Sequence, residues 1–583
     1  MCGIAGIMTG DGRAADPAML SALAGALAYR GPDGQGARAL DGVHLLHTRL
    51  SIVDLAHGAQ PLVSEDGIAL IANAEIYNDP GLRRELSGDF KTQSDCESAL
   101  HLYRRDGVGF AAGLRGMYAI AIHDPGAKRL VLARDPFGIK PLYYAETPSG
   151  FCFASEAQAL VASGLVTPQL NTPARDEVLG TQFSAGRETP FAGILRVLPG
   201  ETLVVESGKI TERRRLPAVK PQPVVRRDDA AAAAQFGRVW EDSVLAHQRS
   251  DVPFGMFLSG GIDSCAVLAT MAKLNAKPVL AFTAAFPGTA AHDERAAARA
   301  AAMASGAIHV EVDVTAADFW ASLPAIAEAM DEPVADYAIV PTYLLAKQAA
   351  RDVKVVLTGE GGDELFAGYG RYRAAVRTLF PKRPWRRPLF AFGGLRAPLT
   401  HWRRAIAAAE QDAAGFTGLG AAQAVDIATW LPGDLLTKLD RCLMAHGLEG
   451  RVPFLDPEVA AFAFSLPDRQ RVRGRGKWIV RRWLAENFRA ANAFLPKRGF
   501  TVPVAEWIAA EGKRLAPLVA RAPGVVDVCE SDAVERLFTG LIPGSPPKGG
   551  SAAWMLLFYA LWYRRHMLGQ RPVGDVFSTL SAK

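Results

Sequence analysis

Short apolar runs broken by Gly, Pro and Asp open the chain. Segments 43–49, 68–72, 118–123, 130–133 and 151–154 have the apolar, β-branched and aromatic content of strands, with turn residues between them. One stretch, 18–28, is helical in character. The mixture predicts an α+β domain built on sheets, reaching to about residue 205. Residues 206–228, which hold most of ERRRLPAVKPQPVVRRDD, are dense in Pro and charge and predict a linker. Beyond it the pattern changes. An Ala-rich helical stretch, 231–250, is followed by apolar strands at 254–258, 279–282, 309–312 and 353–357 that alternate with helices. That alternation predicts an α/β domain, a parallel sheet with helices on its faces. The last two hundred residues read as mostly helical, and no internal repeat is present.

With 583 residues the chain is too long for one core, so two to four domains are expected. A 49% hydrophobic, 21% charged composition and a net charge of +5 make no case for nucleic acid or an anionic membrane surface. The six cysteines, Cys2, Cys96, Cys152, Cys265, Cys442 and Cys529, are scattered without a C-x-x-C pair. They suit a reducing compartment better than a disulfide framework. The first residues have neither a basic start nor a sustained apolar run, and no stretch approaches the roughly 20 apolar residues of a membrane span. A cytoplasmic protein with small-molecule substrates is the expectation.

Cys2 is followed by Gly3. Removal of the initiator methionine would put the thiol beside its own α-amine, whose ordinary pKa is about 8. That amine can then serve as the base for the thiol. On its own, a cysteine at position two is more often incidental, and the motifs around it decide the reading.

MCGIAGI is followed in order by YRGPDGQG (29–36), HTRLSIVD (47–54), NAEIYN (73–78), SDCES (94–98), LRGMYAIAIHD (114–124), RDPFGIKPLYY (134–144) and FASE (153–156). Together these resemble the class-II glutamine amidotransferase domain of the glutamine-dependent asparagine synthetase family. The resemblance implies an N-terminal nucleophile hydrolase αββα sandwich over 1–205. It implies that Cys2 attacks the glutamine amide, that Arg49 takes the α-carboxylate, and that Glu75 and Asp95 hold the α-ammonium. Ile52 matches a further glutamine-binding position. Asn73 and the backbone N–H of Ala74 would form the oxyanion hole. The family usually has glycine where this chain has Ala74. If that position required φ > 0, the methyl would cost on the order of 1 kcal/mol, and a slower glutaminase is the expectation.

The second half carries FLSGGIDSC (257–265), an apolar strand running into a Ser-Gly-Gly turn and then a helix. Glycines admit phosphate oxygens close to the backbone, and the helix N-terminus adds free N–H groups. The motif is not a Walker P-loop. It resembles the pyrophosphate loop of enzymes that adenylate a substrate. VVLTGEGGDELFAGY (355–369) repeats strand, glycine turn and acids. By resemblance Leu258, Ser259, Gly260, Gly261, Asp263, Ser264, Ala284, Thr358 and Gly359 bind ATP. Asp263 and Asp363 hold Mg²⁺, a hard ion that prefers carboxylate and water oxygens. The resemblance further implies that Glu360 handles the proton of the attacking ammonia or orients the intermediate, and that Lys477 offsets negative charge on the acyl-adenylate and pyrophosphate.

LDRCLMAHGLEGRVPFLD (439–456), GKWIVRRW (476–483) and PKRGFTVP (496–503) extend the likeness. It implies an ATP-pyrophosphatase domain over 229–570 with a helical C-terminal part. Arg451 falls in a motif near the family's passage between sites, and 117–122 and 452–455 are apolar enough to line one. The implied reaction takes aspartate, glutamine and ATP to asparagine, glutamate, AMP and pyrophosphate, in a protein that often forms homodimers. Before the second ATP loop, however, MDEPVADYAIVPTYLL (330–345) lacks the Thr- and Arg-containing form of the aspartate-specific enzymes. It resembles a bacterial branch that includes amidotransferases of exopolysaccharide and cell-envelope clusters, so a different acceptor carboxylate stays open. A lactam-forming synthetase and a non-catalytic glutamine or ATP sensor are the readings from other classes; intact Cys2, Arg49 and Asp95 speak against the first, and Asp263, Asp363, Glu360 and Lys477 alongside Cys2 against the second.

Overall fold

The computed structural model describes residues 2–582 except 87, 292, 377–384, 386–387, 389–391, 496–500 and 543–548. The start of PKRGFTVP therefore lies outside the described residues.

The first half is formed by strands β1 (Gly3–Met8), β2 (Gly34–Leu40), β3 (Val43–Arg49), β4 (Leu62–Val63), β5 (Ala69–Ile76), β6 (Gly116–Asp124), β7 (Arg129–Arg134), β8 (Tyr143–Thr147), β9 (Gly150–Ala154), β10 (Leu195–Arg196), β11 (Glu201–Glu206) and β12 (Lys209–Arg215). They make two antiparallel sheets of six, ordered β10-β8-β9-β1-β3-β2 and β12-β11-β7-β6-β5-β4. Ile4, Val43 and Phe153 of the first sheet pack against Ile71, Ala119 and Leu132 of the second in one apolar layer. Helix Pro17–Leu27 covers the outer face of the first sheet through Leu23 and Leu27. Helix Cys96–Asp106 covers the outer face of the second through Ala99, Leu100 and Tyr103. The result is the expected αββα sandwich. Because β6 is packed on both faces, its nine residues GMYAIAIHD are all buried, and no polar alternation survives in its sequence.

The boundary differs from the expected linker at 206–228. Residues 209–215 form β12, an edge strand, and 216–228 follow without helix or strand. KITERRR reads as linker because an edge strand is exposed on one side and tolerates charge there.

The second half holds a five-stranded parallel sheet of β13 (Phe254–Phe257), β14 (Leu280–Ala285), β15 (Ile308–Asp313), β16 (Val355–Leu357) and β17 (Glu449–Arg451), ordered β15-β14-β13-β16-β17. The first four strands are as expected. β17 is not, because three residues, Glu-Gly-Arg, carry no strand pattern; its pairing Leu357↔Arg451 exists only in the fold. Helices fill most of the remainder, among them Gly550–His566, buried through most of its length, and the last, Val576–Ser581. No helix among the described residues is long and apolar enough to cross a membrane.

Candidate active sites

Cys2 lies just before β1, half-buried, and its surroundings pin it. The next two N–H groups, of Gly3 and Ile4, donate to Thr48 Oγ1 (3.1 Å) and Ser155 Oγ (3.0 Å). Arg30 Nε donates to the Cys2 carbonyl (3.3 Å). The Cys2 N–H donates to Asn73 Oδ1 at 3.2 Å, and its Sγ is 3.9 Å from the Leu50 carbonyl. Burial raises the thiol pKa, so the thiol needs a base in order to react.

Asn73, on β5, is fully buried, and its Nδ2 has no hydrogen-bond partner among the described residues. A buried donor left unmade is costly, so it marks a place where a ligand acceptor belongs. Along the same strand edge Ala72 N–H donates to Gln60 Oε1 (2.6 Å) and Ile76 N–H to Asp95 Oδ2 (2.5 Å). Strand alternation puts the N–H of Ala74 on that edge between them. Ala74 is ordinary strand and is not among the residues with positive φ. The penalty expected for alanine there therefore does not arise.

Two further predicted residues sit close by. Glu75 and Asp95 are buried carboxylates. Burial pushes Asp95 up to about 6 and Glu75 well above the ordinary range, although Arg451 partly offsets the latter. Both lack enough positive charge, which an ammonium would supply. Arg49 spends N–H groups on the carbonyls of Val53 (3.3 Å), Asp54 (2.5 Å) and Leu55 (3.2 Å). These three bonds hold the guanidinium and leave donors of its five over. Ile52 is buried, and its carbonyl accepts from Asp251 N–H (2.9 Å) across the two halves.

The second site forms at the carboxyl ends of β13, β14 and β16, where a parallel sheet presents ligands. A cavity of about 1040 Å³ there is lined by Leu258, Ser259, Gly260, Gly261, Asp263, Ser264, Ala284, Thr358, Gly359, Glu360, Asp363 and Lys477. Every residue expected in the ATP half is thus brought to one space. Ser264 Oγ accepts from Ser259 N–H (3.2 Å) and donates to the Gly261 carbonyl (3.2 Å), bracing the turn before helix Ile262–Leu274. Gly361 has φ +92°, and a Cβ there would stand 2.3 Å from Leu455 Cδ2, so only glycine fits.

Lys477 is 1% exposed, so it is not a solvated surface lysine. Its φ of 55° is left-handed, an uncommon conformation for a side-chain-bearing residue, just ahead of helix Trp478–Asn487. Its Nζ pairs with Asp363 Oδ1 (2.7 Å) and with Asp263. Two carboxylates close enough to share one ammonium are also placed to share a divalent cation, so the donor set fits Mg²⁺.

Comparison with known proteins agrees with this geometry. The glutamine amidotransferase domain profile matches residues 1–215, and the asparagine synthase profile matches 235–564. A Bacillus subtilis (strain 168) glutamine-hydrolysing asparagine synthetase 1 is 32% identical over 83% of each chain. The Escherichia coli (strain K12) glutamine-hydrolysing asparagine synthetase B is 30% identical over 80% of this chain and 74% of its own. A Mycobacterium bovis protein provisionally named for the same activity is 34% identical over 97% of both chains. This chain belongs to the asparagine synthase family. It is a glutamine-dependent carbon–nitrogen ligase.

Sequence reading missed what joins the halves of this asparagine synthase family member. Arg30, in the YRGPDGQG motif, is fully buried and donates to both oxygens of Asp440 (2.9 Å each) and to Glu156 (2.5 Å). Arg441 pairs with Asp440 (2.5 Å) and Asp331 (2.7 Å), and Asp331 accepts from Ala157 N–H (2.7 Å). Between Arg30 and Arg441, Asp440 is held far below the ordinary carboxylate range. Arg451 reaches from β17 to Glu75 (2.9 Å) and Glu449 (2.6 Å), while its carbonyl accepts Thr358 N–H (2.9 Å). The signal available was the presence of unassigned charged residues inside otherwise apolar motifs. Of the strand 117–122, only Met117 shares an apolar cluster with Val452, Phe454 and Leu455. Its neighbours face into the amidotransferase half, as strand alternation requires.

Proposed function

We propose that this chain makes asparagine from aspartate, with ammonia that it cuts from glutamine and energy from ATP. The observation that carries the reading is buried Lys477 gathered with Asp263 and Asp363 at the glycine turn, in a chain whose N-terminal Cys2 meets Asn73. Aspartate as acceptor is supported by the names of the Bacillus subtilis and Escherichia coli relatives.

The geometry supports the following roles. After Met1 is removed, the Cys2 nitrogen becomes a free amine and takes the thiol proton. Sulfur attacks the glutamine amide carbon, and the oxyanion is met by Asn73 Nδ2 and Ala74 N–H. Arg49 binds the substrate's α-carboxylate, and Glu75 and Asp95 bind its α-ammonium. The amine's proton passes to the departing nitrogen, ammonia leaves, and water later cleaves the thioester to glutamate. In the other half, the aspartate β-carboxylate attacks the ATP α-phosphorus and pyrophosphate leaves. Ammonia attacks the acyl carbon, AMP leaves, and Glu360 takes the proton from nitrogen. Asp263 and Asp363 would hold Mg²⁺, which supplies charge neutralisation for the leaving pyrophosphate. Lys477 adds a fixed cation to the same task. Ammonia is mostly ammonium at neutral pH and then no nucleophile, so an apolar path between the sites preserves its reactivity.

We place the enzyme in the cytoplasm as a homodimer, the former supported by six unpaired cysteines and the latter by family resemblance. The test of function is product analysis. Purified enzyme with glutamine, aspartate and MgATP should yield asparagine and AMP in equal amounts, and Cys2→Ala should lose glutamine use while retaining ammonium use. Pyrophosphate release that ignores aspartate would refute the acceptor and leave the amidotransferase reading intact.

A further inference from the structure

The ATP cavity extends past Glu360 to a second charged group. Asp336 stands at the start of helix Ile339–Ala349, and its Oδ1 accepts the Ala338 N–H at 2.9 Å. Its other oxygen takes Lys438 Nζ at 2.8 Å. Lys438 comes from a different element, helix Leu436–Met444, which follows the π-helical turn Leu431–Leu435. Both residues line the cavity that holds Thr358, Glu360 and Lys477. Lys438 is 5% exposed; burial would lower its pKa, but Asp336, Asp434 and Glu360 more than offset that and keep it protonated. Behind it Asp434 is fully buried, neither carboxyl oxygen has a hydrogen-bond partner among the described residues, and burial pushes the carboxyl well above the ordinary range.

We propose that Lys438 and Asp336 are the acceptor subsite and select a zwitterion, Lys438 binding the α-carboxylate of an α-amino acid and Asp336 its α-ammonium. This rests on the reading above that the enzyme activates an amino-acid carboxylate. The physical reason is exchange of pairs. Lys438 is buried and Asp336 partly so, and when they separate each must find a new opposite charge or stand unpaired at a large cost. A zwitterion supplies both charges at once, and one ion pair becomes two. A dicarboxylate without an amine would take Lys438 and strand Asp336. A sugar acid would do the same. The acceptor's distal carboxylate is then left for Glu360 and the phosphate side of the cavity, where Lys477 lies. This pair also supplies the cation that the 330–345 segment lacks, since Tyr337, 41% exposed, stands there beside Asp336.

The test uses full-length enzyme with MgATP and ammonium chloride, reading pyrophosphate release. Three acids separate the contacts: aspartate has both α-groups, succinate lacks the ammonium, and β-alanine lacks the α-carboxylate. Where turnover is too slow, the inhibition constant against aspartate is read instead. Wild type should prefer aspartate by at least about 100-fold in kcat/KM over each analogue. Asp336→Asn keeps an oxygen for the Ala338 N–H, so the helix start survives. It should lower aspartate use at least tenfold while leaving succinate as it was. Lys438→Gln should lower aspartate tenfold while leaving β-alanine as it was, and melting curves report whether it folds. Equal losses for all acids, or an unchanged preference in Asp336→Asn, would overturn the subsite while aspartate-dependent release in wild type upheld the function. Wild-type release with glucuronate and none with aspartate would overturn both.

Discussion

Replacing Asn73 by alanine removes two contacts at the glutamine site at once. Its Oδ1 accepts the Cys2 N–H at 3.2 Å, and its Nδ2 has no protein partner to lose. The second fact sets the size of the effect. A donor that is unpaired in the free enzyme gains most when the tetrahedral oxyanion forms, so its loss falls on the transition state. Loss of one such donor costs about 2.7–4 kcal/mol, or about 10²–10³ in kcat. Asn73→Asp should be at least as damaging: it keeps an oxygen for the Cys2 nitrogen but sets a carboxylate against the oxyanion and against a thiol already hard to ionise. The assay is glutamate release from glutamine, with product formation from ammonium chloride as the internal reference for the other half. Glutamine KM should move by no more than a few-fold, since in the proposed mechanism Arg49, Glu75 and Asp95 bind the other end of the substrate. A kcat for Asn73→Ala within fivefold of wild type would refute the oxyanion role.

Asp95 is raised to about 6, and the ionised form is the one that binds an ammonium. As pH falls below 6 the acid gains a proton, so glutamine kcat/KM should drop about tenfold per pH unit there; a profile flat down to pH 5 would refute this. Ala74→Gly should give no more than a twofold gain in glutaminase rate, because Ala74 has no positive φ to relieve, and should cost about 0.5–1 kcal/mol of stability in a strand interior. A tenfold gain would show that the methyl obstructs substrate. Arg30→Met strands Glu156 and half of the Asp440 pairing inside the interface, and denaturant melts should show a loss of about 3–5 kcal/mol. A loss below about 1 kcal/mol would mean that water enters the junction.

Much of the fold was legible. Turn residues and apolar runs located β3, β7 and β9 almost to the residue, and the alternation of strand and helix announced the parallel sheet. Local chemistry marked the glycine turn of FLSGGIDSC, whereas the Cys2 segment gained its reading only from the ordered motifs around it and their family resemblance. β12 and β17 were not legible: an edge strand full of arginine and a three-residue Glu-Gly-Arg strand become strands only when a partner offers hydrogen bonds.

The same division runs through the sites. Ordered motifs and the family they resemble were enough to nominate Cys2, Arg49, Asp263 and Lys477, whose chemistry is intrinsic to the side chain. The identity of their partners was not. That Ala74 sits in unstrained strand, that Lys477 is buried between two aspartates, that Arg30 crosses to Asp440 and that Lys438 closes on Asp336 each depend on chain segments tens to hundreds of residues apart. Burial and electrostatic pairing are properties of a place in the folded molecule. They decide which of many charged residues is a surface solvent contact and which is a group that a substrate must satisfy.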